Sequence, residues 1–106
     1  DLLIAAGGEA DKLVLAGVSK RSSNGSLYDV FRGRLIFPIW IDSKRIVGFG
    51  GRLVPGQVSA EDEARSPKYL NSPESPLYQK SKTVYGLPQA LNDIRKSGEV
   101  WVVEGY

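Results

Sequence analysis

Leu35-Ile-Phe-Pro-Ile-Trp-Ile41 and Arg45-Ile-Val-Gly-Phe-Gly50, joined by Asp42-Ser43-Lys44, decide the fold of this chain. Both runs are apolar and rich in β-branched and aromatic residues, and the joint is short and polar. That pattern predicts an antiparallel hairpin. Pro38 has no N–H to give to a ladder, so its strand is expected at a sheet edge or bulged at that point. Gly48, Gly50 and Gly51 in the returning strand lack side chains, so another backbone or a phosphate could approach closely, with Arg52 projecting beside it. A glycine bulge is the plainer reading of the same stretch. It fails as a dinucleotide fingerprint, because the full glycine spacing is missing and no βαβ unit follows.

Toward the N-terminus, alanine and leucine predict helix over 2–6 and again over about 9–16. Gly7-Gly8 separates the two, and Gly17 suits a C-terminal stop. Ser19 to Ser26 is polar, with Asn24-Gly25 as a turn signal. Toward the C-terminus, 55–66 reads as a polar, solvated loop with acids at 61–63. Residues 67–82, PKYLNSPESPLYQKSK, have neither helical nor strand period. Leu87 to Lys96 predicts a helix: Pro88 suits its first turn, Leu87, Leu91 and Ile94 share a face, and Arg95-Lys96 favour its C-terminal dipole. Gly98 stops it. Glu99-Val-Trp-Val-Val103 reads as a buried strand with Glu104-Gly105 at its end. The expectation is an α+β fold: short N-terminal helices, a small mainly antiparallel sheet with a hairpin, a long ordered basic loop, a helix and a last strand.

The 106 residues fit one domain, and 42% hydrophobic residues can bury a modest core. No cysteine or histidine is present. Disulfides, thiol nucleophiles, imidazole bases and thiolate zinc sites are thereby excluded. Any metal chemistry must use oxygen ligands, which favours magnesium or manganese. No apolar run is long enough to span a bilayer and the chain shows no n-region and h-region pattern, so the expectation is a cytoplasmic protein without a membrane partner. The chain starts without methionine and ends just after an apolar run, and it reads as a piece of a longer protein.

The net charge of +2 hides an uneven distribution. Between Lys20 and Arg52 seven cations face Asp29 and Asp42; between Arg65 and Lys82 four cations face Glu74. Such a basic face attracts polyanions, although an ordinary solvated surface is the simpler reading of charge alone. Residues 67–82 add a second property. Prolines hold an extended path, Tyr69 and Tyr78 offer flat rings, Lys68, Lys80 and Lys82 can meet phosphates, and Asn71 can bond a phosphate oxygen or a base edge. Cations beside aromatics suit a single strand with unstacked bases. A surface loop pinned by buried tyrosines is the alternative, and composition leaves the two even. Glu104, just past a strand, is placed where α/β sheets bind ligands and could act as a magnesium ligand or proton acceptor; a strand-end surface acid is the plainer reading.

Several blocks, in order, resemble the bacterial replicative primase family (DnaG-type): Tyr28-Asp-Val-Phe-Arg-Gly-Arg34, Phe37-Pro-Ile39, Gly48-Phe-Gly-Gly-Arg52, Pro67-Lys-Tyr-Leu-Asn-Ser-Pro-Glu74, Tyr85-Gly-Leu87 and Val102-Val-Glu-Gly-Tyr106. The resemblance implies part of an RNA polymerase that makes short primers on single-stranded DNA from ribonucleoside triphosphates, with Mg2+ or Mn2+, at the replication fork beside a replicative helicase that other parts of the protein would contact. It implies a division at residue 98, with 1–98 as the basic N-terminal subdomain of the catalytic core and 99–106 as the opening strand of a metal-binding Toprim subdomain. Glu104 then matches the Toprim glutamate, a metal ligand or catalytic acid/base. Arg32, Arg34, Arg52, Lys68, Tyr69, Asn71, Lys80 and Lys82 fall on motifs expected to hold template and triphosphates. The family's further Toprim aspartates and its zinc module are absent here, so this chain alone is expected to be inactive. Residues 55–66 are longer than usual for the family, and Trp40 and Ile41 stand where charged residues are more usual, an expected contact outside the chain. A stand-alone nucleic-acid or nucleotide-binding module and another Toprim enzyme are the alternatives.

Overall fold

A computed structural model describes residues 2–105; Asp1 and Tyr106, the last letter of the VVEGY block, lie outside the described residues. The expected hairpin is there. Strand β3 (Arg34–Trp40) pairs antiparallel with β4 (Ile46–Leu53), from Arg34↔Leu53 to Trp40↔Ile46. Pro38 sits opposite Phe49 on the outer strand of the sheet, and the register slips between Ile39 and Trp40. Phe49 turns both its N–H and its C=O toward Ser72 on its other side, so the Pro38–Phe49 pair exchanges no ladder bond and the missing N–H breaks none. Asp42 closes the joint: its carboxylate accepts from the backbone N–H of Lys44 and Arg45, both at 2.9 Å, and from the Arg45 guanidinium. These bonds, the one from Lys44 foremost, hold its carboxyl below the ordinary aspartate range.

The sheet has a third strand that the sequence did not announce. β5 (Tyr69–Asn71) pairs antiparallel with β4 through Gly50↔Asn71, Gly51↔Leu70 and Arg52↔Tyr69. The quoted 67–82 segment is therefore partly regular. Its three-residue strand has no period to detect; it forms because the free edge of β4 presents unpaired N–H and C=O groups. A separate two-stranded sheet, β1 (Ser19–Arg21) with β2 (Leu27–Asp29), also forms around the expected Asn24-Gly25 turn. The N-terminal helices are shorter than expected, α1 (Leu2–Ala5) and α2 (Ala10–Leu15), and the last helix runs over Leu87–Ser97.

Two further expectations are corrected. Residues 55–66 are not wholly a loop: α3 (Ala60–Arg65) lies within them, capped by Ser59, whose Oγ accepts from Asp62 N at 3.1 Å. Acids at 61–63 stabilise its N-terminal turn. Residues 99–103 form no strand, and Val100, Trp101, Val102 and Val103 are exposed. An apolar run becomes a buried strand only beside a partner edge, and no strand among the described residues lies against this one. Trp40 lines a cleft together with Asp42 and Ser43 of the joint and with Pro88 and Gln89 of the last helix.

Candidate nucleic-acid interface

Strand register sorts the side chains by face, because neighbours along a strand alternate and paired residues point the same way. Leu35, Phe37 and Ile39 share one face with Gly48, Gly50, Arg52, Tyr69 and Asn71. Arg34, Ile36 and Phe49 lie on the other, where Phe49 meets the edge of the Phe31 ring with centroids 6.1 Å apart.

On the first face, Arg52 and Lys68 converge on one ring. The Arg52 guanidinium carbon lies 5.7 Å from the Tyr69 centroid, and the Lys68 ammonium lies 5.9 Å from it. Each contact is worth about 0.5–1 kcal/mol at an exposed site. Tyr69 remains half exposed. Tyr69 and Asn71, two apart on β5, line a cavity of about 440 Å³ together with Glu104 and Gly105. Thus the acid that follows the VV pair faces the same space as the KYLN block, although 33 positions of sequence separate Asn71 from Glu104. Glu104 joins no ion pair among the described residues.

The rest of 67–82 is held to the sheet by its own chain. Ser72, 1% exposed, gives its N–H to Phe49 O at 2.8 Å, and its Oγ accepts from Phe49 N at 2.9 Å. Tyr78 is buried, not presented to a ligand. It fits because Gly48 has no side chain: a Cβ there would stand 3.2 Å from Tyr78 Cγ and from Ser72 Cβ. Pro73 abuts Gly17 in the same way. Ser75 and Tyr78 exchange backbone bonds, and Glu74 accepts from Lys80 N at 2.8 Å. A short 3-10 turn (Lys80–Lys82) follows, with both lysines exposed. The roles of Ser72 and Glu74 were not legible in the sequence, since a small polar residue carries no sign of its partner.

Not every expected cation joins the face. Arg32 lines an apolar cavity with Asp29, Phe31, Ile36 and Phe49 behind the sheet. Arg34 spends its guanidinium on backbone carbonyls: Pro67 O at 2.8 Å, Gly51 O at 3.3 Å and Lys68 O at 3.4 Å. Arg21, Arg45 and Arg65 pair with Asp11, Asp42 and Glu61. The basic surface is therefore narrower than the charge count implied.

Residues 1–91 match the family described as the DNA primase catalytic core, N-terminal domain. The chain belongs to that family. The DNA primase of Legionella pneumophila is 42% identical over 95 residues, which is 90% of this chain and 15% of that protein. That of Halalkalibacterium halodurans is 49% identical over 87 residues, 82% of this chain and 13% of that protein. A solved DnaG primase catalytic domain bound to ssDNA matches with a TM-score of 0.78 at 36% identity, over 100% of this chain and 31% of that one. The RNA polymerase domain of Mycobacterium tuberculosis primase DnaG, in complex with a double-stranded DNA oligomer with a 6-nucleotide overhang, gives 0.79 at 37% identity, over 99% of this chain and 31% of that one. The chain spans a minor part of the primases it matches.

Primase cores imply a divalent metal, and the residues present test poorly against one. Among the described residues no group of three or more acidic, histidine or cysteine side chains could hold a cation. Magnesium demands a near-octahedral set of oxygens, and Glu104 is a single exposed carboxylate. The described residues do not form a metal site by themselves. No described helix is long and apolar enough to cross a membrane.

Proposed function

We propose that this chain forms the template-holding wall of a DNA primase, an RNA polymerase that makes short primers on single-stranded DNA from ribonucleoside triphosphates. The convergence of Arg52 and Lys68 on the Tyr69 ring, beside a cavity that also takes in Asn71 and Glu104, carries this reading. A base stacks on the half-exposed ring while the flanking cations meet phosphates. Asn71 supplies hydrogen bonds to a phosphate oxygen or a base edge. Lys80 and Lys82, exposed in the turn after Tyr78, extend the positive track in this reading.

Residues 1–98 act as the N-terminal subdomain, and 99–106 begin the metal-binding subdomain. Its remaining strands would cover the exposed apolar side chains of 100–103. Glu104 contributes one carboxylate to a site whose other ligands lie outside these residues, with Mg2+ or Mn2+ as the ion. Phosphoryl transfer depends on positioning and on neutralising charge; this chain supplies part of each and not the whole. Incubated with template, ribonucleotides and magnesium, these 106 residues are expected to make no primer. Primer synthesis by them would overturn the assignment of the missing ligands. The helicase contact and location at the replication fork belong to the same reading.

Fluorescence anisotropy of a labelled single-stranded oligonucleotide tests the interface. Binding is expected to be weak and to fall as salt rises. Lys68→Ala or Arg52→Ala should each reduce the log–log salt slope by about 0.7, the share of one phosphate contact on a single strand. Tight binding that ignores both substitutions would favour a stand-alone binding module whose contacts lie elsewhere.

A further inference from the structure

We propose that Arg34 is a positioning residue for the nucleic-acid face rather than a contact to nucleic acid. Its side chain starts on β3, passes β4 and reaches the beginning of β5. There it donates to the carbonyls of Pro67 and Lys68, residues 33 and 34 positions away, and on its way to Gly51 O. The Lys68 carbonyl also accepts from Leu53 N at 2.9 Å, so ladder and guanidinium grip the same peptide.

The geometry gives this grip a purpose. β5 has only three ladder pairs and lies at the sheet edge, the kind of strand that frays. Lys68 and Tyr69 stand at its fraying end, and both are needed in place for a ring flanked by two cations. A guanidinium offers five donors in a planar fork and can hold several carbonyls at once; an ammonium on a flexible stem holds them without fixed directions. Arg34 is half-buried and lies on the face opposite Arg52. Gly51 completes the device. A Cβ there would stand 2.8 Å from Phe31 Cδ1 and 3.0 Å from Arg34 Cδ, so the bare glycine is what lets the arginine stem cross β4. The second arginine of the FRGR block and the second glycine of the GFGGR block thus serve one function across the sheet.

This inference rests on Arg52, Lys68 and Tyr69 being the nucleic-acid face, and the test separates the two. The full chain and its Arg34→Lys, Arg34→Met, Gly51→Ala and Tyr69→Ala variants are titrated with the labelled oligonucleotide. The doubles of Arg34→Met and Gly51→Ala with Tyr69→Ala complete the set. Thermal midpoints check folding, and amide exchange at Leu53 is followed without DNA. Arg34→Lys, which keeps the charge, and Gly51→Ala, which keeps the arginine, are both expected to weaken binding, each by roughly tenfold, the scale of losing hydrogen bonds to a charged group. Leu53 N–H should exchange faster in each. Combined with Tyr69→Ala, each change should cost clearly less than the sum of the two single losses, because residues acting through one group are not additive. Full affinity in Arg34→Lys with loss only in Arg34→Met would mean direct phosphate contact and overturn the proposal. So would additive losses or unchanged Leu53 exchange. If Tyr69→Ala itself leaves binding intact, the underlying face is wrong, and the positioning role falls with it. Should Arg34→Met fail to fold, Arg34→Lys and Gly51→Ala still decide the matter.

Discussion

Replacing Tyr69 by alanine is expected to weaken single-stranded DNA binding by between about fivefold and a hundredfold, since one base stacked on an aromatic ring is worth roughly 1–3 kcal/mol. The ring is half exposed, with a guanidinium 5.7 Å and an ammonium 5.9 Å from its centroid. Removing it also takes away the surface against which both cations are held, so the two proposed phosphate contacts would lose their fixed direction. Tyr69→Phe keeps the ring and should retain most of the affinity. Tyr28→Ala provides the comparison: that tyrosine is 42% exposed but belongs to the separate β1–β2 sheet. Anisotropy titrations at one salt concentration measure all three. Equal losses for Tyr69→Ala and Tyr28→Ala would sink the assignment of β5 as the binding strand.

The largest effect on stability is expected from Tyr78→Ala, a loss of about 3 kcal/mol or more, as for other large aromatic truncations in a core. Few large side chains share the load. Ile39 and Tyr78 are the buried hydrophobic residues among those described. Domain stabilities of about 5–15 kcal/mol leave little margin for such a loss. Urea unfolding followed by tryptophan fluorescence reads it directly. Tyr78 also predicts an alkaline limit. Burial, and then the charge of Glu74, raise its phenol above the ordinary tyrosine value of 10.0. The folded state therefore holds the proton more tightly than the unfolded chain. This contribution is fully present below about pH 10 and disappears as pH rises through the raised folded value. Tyr78→Phe cannot ionise, so its stability should decline less over that range. A parallel decline in the two proteins would show that the phenol is not the responsible group.

Much of the sheet was legible because hairpins are local. Residues 35–50 carry both runs and the polar joint, and Pro38 announced its own edge position. The last helix was legible for the same reason, with Pro88 inside its first turn and Gly98 after its end. α3 had a readable signal, Ser59 before three acids, but only six residues in which to express it. The residues proposed to bind were identifiable by type, since rings, amides and cations cluster in KYLN. Their orientation was not. Tyr69 and Tyr78 look alike in sequence, yet one is half exposed and the other lies under Gly48. Arg32, Arg34 and Arg52 share one chemistry, yet Arg32 lines the cavity behind the sheet, Arg34 binds carbonyls and Arg52 flanks a ring.

By itself, then, the order of residues determined the hairpin, the last helix, the fold class and the blocks that mark the primase family, because those depend on contacts a few positions apart or on letters alone. Tertiary structure decided that β5 exists, that Arg34 turns inward, and that Glu104 shares a cavity with Tyr69 and Asn71. A strand edge recruits whichever segment can satisfy its open N–H and C=O groups, and a guanidinium settles on whichever acceptors the folded chain brings within reach. The first choice joins residues 17 to 21 positions apart, and the second joins Arg34 to carbonyls 33 and 34 positions away.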